Sequence, residues 1–190
     1  MVDQAVNFKD SKILKTFFSI FILGMISSFV PQKSYTLLVV NIIVSLMILI
    51  IFIILWRVHS RRSKRYFSLL SFVMLLSFSY YFSIPLIRLL SNSYLMWIGI
   101  GLWIGITTCS IMLGKSIFVG LSNPIKSKLG IYIFVMFFLV IGLGKVVVSY
   151  NYTTHNPSAV AVGIFTYLCG MLLSFISGAL LIDPEKKKQK

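Results

Sequence analysis

The chain has 190 residues, of which 58% are hydrophobic and 12% charged, and its mean hydropathy is +0.95. A soluble domain of this size needs more charged surface and cannot hide so much apolar area in one core. Eighteen Lys and Arg against four acidic residues give a net charge of +14, but the cations stand in short clusters between apolar runs. With no polar domain to read a groove, nucleic acid is not an expected partner.

The apolar runs predict a single domain, an all-α bundle of six membrane-spanning helices, each long enough for a hydrocarbon core of roughly 30 Å. The first span covers 13–30 and stops at Pro31. It has no small-residue cleavage site and is expected to remain in the protein. The second, 36–56, is almost continuously apolar from Leu46 to Leu55 and carries Asn41 and Ser45. The third, 67–90, has Ser68, Ser71, Ser79 and Ser83 along one broad face. Pro85 removes a backbone donor within it and predicts a kink.

The fourth span, 94–113, contains Gly99, Gly101 and Gly105, then the polar run Thr107, Thr108, Cys109, Ser110. Residues 114–128 read as a basic loop. The fifth span covers 129–149 and the sixth 159–182, with a basic tail over 183–190. In the sixth, Gly163, Gly170, Ser174 and Gly178 follow one helical face. Helices in lipid associate through small residues and interhelical hydrogen bonds. These four positions with Gly101 and Gly105 are therefore the expected packing seam, inside the bundle or between copies. Asn41, Ser45, Ser79, Ser83, Thr107 and Thr108 are either interhelical glue or a polar pathway.

Direction follows from the cations. Lys9, Lys12 and Lys15, Arg57 to Arg65, Lys115, Lys126 and Lys128, and the tail lysines place fifteen basic residues on one side, against Lys33 alone on the other. This asymmetry predicts that both termini face the cytoplasm.

No Asp or Glu occurs between Lys12 and Ile182. Proton-coupled transport, aspartyl chemistry and carboxylate-ligated metal sites all need an acid at membrane depth, so no metal site and no cofactor is expected. Cys109 and Cys169 differ in depth by roughly 12 Å on a 1.5 Å rise, too far for a disulfide, and read as core thiols. His59 and Cys109 fall on the same side, the general arrangement of an intramembrane cysteine peptidase, but two helices separate them. The G-x-S-x-G pattern is absent, and no catalytic set is assigned.

Arg88, Lys145, His155 and Lys33 lie towards the outer face without a counter-charge. Arg88 and Lys145 can snorkel to lipid phosphate; together the four form a candidate site for an anion or lipid head group. The sequence reading is a non-enzymatic permease-type or transport-accessory component acting on an anionic or amphipathic solute or lipid. The alternative is an interaction protein, such as an immunity factor or assembly partner. Expected partners are anionic lipids, a second copy or another membrane protein. The sequon at Asn151 and the terminal Lys187-Lys188-Gln189-Lys190 resemble endoplasmic-reticulum signals. The low alanine and high Ile, Phe and Lys content favours a bacterial plasma membrane.

Overall fold

The computed structural model describes residues 5–30, 32–91, 93–122, 127–128, 130–132, 135, 138, 142 and 159–182. All regular structure among them is helical. A 3-10 turn, Phe8–Asp10, precedes α1 (Ile13–Phe29), α2 (Tyr35–His59), α3 (Ser63–Leu89), α4 (Leu95–Met112), α5 (Gly114–Ser122) and α6 (Ala159–Ser177), and a second 3-10 turn, Gly178–Leu181, closes the described chain. Among the described residues five segments are long and apolar enough to cross a membrane: Phe8–Phe29, Tyr35–His59, Ser63–Leu89, Leu95–Met112 and Ala161–Leu181. The expected fifth span lies largely outside the described residues, as do Lys145, Asn151, His155 and the basic tail.

Local chemistry sets the helix ends. Val30, which precedes Pro31, is extended (φ −111°, ψ 133°) and stops α1, because proline disfavours the helical region at the residue before it. The Ser34 hydroxyl then accepts the Leu37 N–H at 3.3 Å and caps α2. α3 runs through Pro85 as one element, with Pro85 buried.

Helix α3 is the axis of the bundle. At 3.6 residues per turn, Tyr66, Leu70, Met74, Tyr81 and Arg88 fall on one side of it, and Ser68, Ser79, Ser83 and Leu86 on the other. The first side meets the α1–α2 hairpin and the second meets α4 and α6. Tyr66, Tyr81 and Phe52 are the largest fully buried side chains, and all three sit where α2 and α3 close over α1.

Contacts along the helices fix their sense. α3 and α6 are antiparallel: Gly163 packs on Leu86 and Leu89, Gly170 on Ser79 and Ser83, and the Ser68 hydroxyl donates to the Leu180 carbonyl. α4 and α6 are parallel, since Gly99 meets Tyr167, Thr107 meets Ser174 and Ser110 meets Gly178.

Two ends result. At the basic end, the start of α1, the α2–α3 turn and the end of α6 come together. There Val6 N–H donates to Ser60 O (2.8 Å), Trp56 Nε1 to Val6 O (2.9 Å), the Tyr66 hydroxyl to Ser11 O (2.7 Å), and Arg65 to Leu181 O (2.6 Å). At the opposite end, Arg88 joins α3 to the end of α1.

One element differs from the sequence reading. Residues 114–122, expected as loop, form α5, whose Ile117 is fully buried against Ala179. A Cβ on Gly114 would lie 2.6 Å from the Gly178 carbonyl, so the chain turns from α4 into α5 directly against the end of α6. The apolar side chains of this helix recur at helical spacing, but they are too few to stand out beside five long spans.

Candidate functional site

The chemistry-bearing residues of the interior form two clusters on opposite sides of α3. The first joins α1, α2 and α3. Asn41 Nδ2 lies 3.1 Å from the Gly24 carbonyl, 3.1 Å from Ser27 Oγ and 2.9 Å from Ser28 Oγ. The Ser27 and Ser28 hydroxyls both donate to Gly24 O as well (2.9 and 2.8 Å). Ser45 donates back to Asn41 O at 2.8 Å, and its hydroxyl meets the Tyr81 hydroxyl at 2.9 Å. Gly24 leaves room for the Tyr81 ring, which a Cβ there would meet at 3.0 Å.

The second cluster joins α3, α4 and α6. Trp103 Nε1 donates to Ser79 Oγ (2.8 Å), Ser83 Oγ donates to Ser79 O (2.8 Å), and the Thr107 and Ser174 hydroxyls share a 2.6 Å bond. The Tyr167 hydroxyl donates to Gly99 O at 2.5 Å. Ser110 Oγ donates to Phe175 O (2.6 Å) and accepts the Gly178 N–H (2.9 Å).

The six residues read as a potential polar pathway thus do not form one line. Asn41 and Ser45 belong to the first cluster, while Ser79, Ser83 and Thr107 belong to the second, with α3 between. Thr108 faces outward and donates to Ile104 O in its own helix. The small-residue face of α6 likewise divides, Gly163 and Gly170 meeting α3 while Ser174 and Gly178 meet α4.

Gly101 and Gly105 do not join that seam. Both are exposed, and a Cβ on either would meet nothing within 4 Å among the described residues. Gly99, two residues away and on the opposite side of the helix, makes the contact with α6. Two residues is close to half a helical turn, so a glycine pattern alone does not say which phase faces inward.

Arg88 is engaged inside the chain. Its guanidinium donates to the carbonyls of Ser28 (3.2 Å), Val30 (2.9 Å) and Gln32 (2.8 Å), closing the carbonyl end of α1. A fork of N–H donors suits this work better than an ammonium does. Lys33, in the same turn, is exposed, and Lys145 and His155 lie outside the described residues.

His59 ends α2 and is half-buried, with Nδ1 lacking a partner among the described residues. Cys109 is exposed on α4, not a core thiol, and Cys169 is half-buried; both are free. Because α2 and α4 pack on opposite sides of α3, the His59–Cys109 pair is not brought together. Among the described residues no three His, Cys, Asp or Glu side chains are grouped as metal ligands.

The residues missed at the sequence level are aromatic. Tyr81, Trp103 and Tyr167 each carry one polar atom across a helix interface. An aromatic in an apolar run reads simply as hydrophobic, although a buried hydroxyl or indole N–H demands an acceptor.

Comparison of the chain with protein-family models, with characterised proteins and with solved structures finds no match to any of them.

Asn41→Leu tests the first cluster. The substitution removes three contacts but also removes Oδ1, a buried acceptor with no partner among the described residues. The expected cost is therefore modest, about 1 kcal/mol, typical of interhelical polar contacts in membranes. It should appear as a small fall in melting temperature in detergent, without loss of the folded species.

Proposed function

We propose that the chain is a non-enzymatic, multi-pass membrane subunit that works by packing against a partner membrane protein. It has six spans and both termini in the cytoplasm. The observation that carries this reading is the use of the interior polar groups: Asn41, Ser45, Ser79, Thr107, Ser110 and Arg88 all bond to neighbouring helices or their connections. Such pairing suits a rigid body better than a wet conduit. An external anion site, the basis of the transport-accessory reading, would draw on Arg88, whose guanidinium faces the carbonyls of α1 and its following turn.

The parallel sense of α4 and α6 supports the topology. α4 reaches the basic end at Met112 and α6 starts from the opposite end at Ala159; a sixth span between them reconciles these two ends, and the apolar sequence 129–149 has the length of one. The cations of the α2–α3 turn and the first turns of α1 share the basic end, which the positive-inside rule assigns to the cytoplasm. A bacterial plasma membrane fits the composition best.

The outward face of α4 provides the test. Leucine at Gly101 and Gly105 meets no atom of the described residues within 4 Å of its Cβ, yet would keep another helix from approaching closely. The Gly101→Leu, Gly105→Leu double variant should melt like the unaltered protein while losing detergent-stable co-purification with its membrane partner. Association undiminished in a folded double variant would remove this face from the proposal.

A further inference from the structure

The segment before α1 is folded against the basic end and held there from three directions: by Ser60 through Val6 N–H, by Trp56 through Val6 O, and by Tyr66 through Ser11 O. Phe8 also lies edge-on to Trp56, with ring centroids 5.3 Å apart. The fold then forces Lys12 into the left-handed region (φ 58°), unusual for any residue with a side chain, and sets its ammonium 5.5 Å from the Phe67 ring centre. The result is an open cleft of about 630 Å³ lined by residues 8–15. Lys9, Lys12 and Lys15 are all exposed around it, and among the described residues Asp10 is the one carboxylate that lines it.

Apolar side chains share the same rim: Phe8 is 47% exposed and Leu14 56% exposed. Cations interleaved with unburied apolar groups, at the level where a span leaves the hydrocarbon, match the chemistry of the lipid interface. There phosphate lies next to glycerol and the first methylenes. A soluble anion would use the lysines but would leave Phe8 and Leu14 facing water.

We propose that this cleft is a binding site for the phosphate head group of an acidic phospholipid in the leaflet at the basic end, with Lys9, Lys12 and Lys15 as counter-charges and Phe8 and Leu14 against the upper chains. Other exposed cations at the same end, Arg57, Arg61 and Arg62, serve orientation and a diffuse attraction to the surface. The inference rests on the membrane reading of the chain and not on the partner reading, which stands or falls separately on Gly101 and Gly105.

The test is native mass spectrometry of the full chain in detergent, titrated with phosphatidylglycerol or phosphatidylcholine. The unaltered protein should retain phosphatidylglycerol over phosphatidylcholine by about tenfold, as expected of a few basic residues near an anionic surface. The Lys9→Gln, Lys12→Gln, Lys15→Gln variant should lose that preference. A charge-matched control, Arg57→Gln, Arg61→Gln, Arg62→Gln, should keep it. Equal retention of the two lipids by the unaltered protein, or loss of preference in both variants alike, would overturn a defined site. Displacement of phosphatidylglycerol by millimolar inorganic phosphate would overturn the lipid assignment in favour of a free anion. Both variants should elute as the unaltered protein does, since every altered side chain is exposed.

Discussion

Gly178→Ala is expected to remove most of the folded protein, measured as the monodisperse fraction surviving mild heating in detergent. Gly178 begins the 3-10 turn that ends α6, and its missing side chain points at the backbone carbonyl and hydroxyl of Ser110 on α4. A methyl group there overlaps backbone, and no rotamer change relieves it. The two helices must separate, which breaks the Gly178 N–H to Ser110 Oγ bond and the Ser110 Oγ to Phe175 O bond. The same displacement moves the Gly178 carbonyl, on which Gly114 and the start of α5 are packed. Overpacking of a closed interior commonly costs about 1–3 kcal/mol, and the coupled loss of two interhelical bonds and the α5 contact puts this site beyond that range. Ser110→Ala isolates the hydrogen-bond part and should cost only about 1–2 kcal/mol. Gly101→Ala, whose Cβ meets none of the described residues, should have no measurable effect. If Gly178→Ala melts with Gly101→Ala, the close approach of α4 to α6 is not what holds this end together.

The contrast between Gly178 and Gly101 also marks how far the sequence could be read. Five apolar runs coincide with five long helices to within a few residues, because covering a hydrocarbon core imposes a length and composition that local reading detects. Asn41 and the serines were visible as buried polar groups for the same reason: a hydroxyl or amide in an apolar run needs a partner. What the sequence could not assign is the partner. Gly99 and Gly101 differ by about 200° around α4, and only the position of α6 decides which glycine is a contact and which lies open. Helix α5 was lost because nine residues are too short for a span and carry few apolar side chains. Tyr81 and Tyr167 were lost because hydropathy does not distinguish a ring that fills space from one whose hydroxyl joins two helices. Arg88 illustrates the same limit for charge: its place near the end of α3 was legible, but whether it faces a lipid phosphate or the end of α1 depends on the fold of α1 against α3.

Arg88→Ala should lower stability by about 2 kcal/mol, within the range for hydrogen bonds to a charged group, since three carbonyls at the end of α1 and in the turn after it lose a cationic donor together. Helix α1 ends at Phe29, and the extended backbone of Val30 leaves the last carbonyls without helical partners, while the guanidinium reaches Ser28, Val30 and Gln32 at 2.8–3.2 Å. Two of those bonds are exposed, so water or head groups recover part of the loss and keep the effect below that of Gly178→Ala. The informative variant is Arg88→Lys. It keeps the charge and most of the aliphatic stem, but an ammonium is a compact charge and cannot span three acceptors with a planar fork. If Arg88 acts as the clasp between α3 and α1, lysine should recover less than half of the stability lost in alanine, and added anionic lipid should not restore the rest. If the residue instead serves an external anion, lysine should behave nearly as arginine does, and stability should rise with anion concentration in arginine and lysine forms alike. The first pattern keeps Arg88 as a structural clasp, and the second would return the outer face to consideration as a binding site.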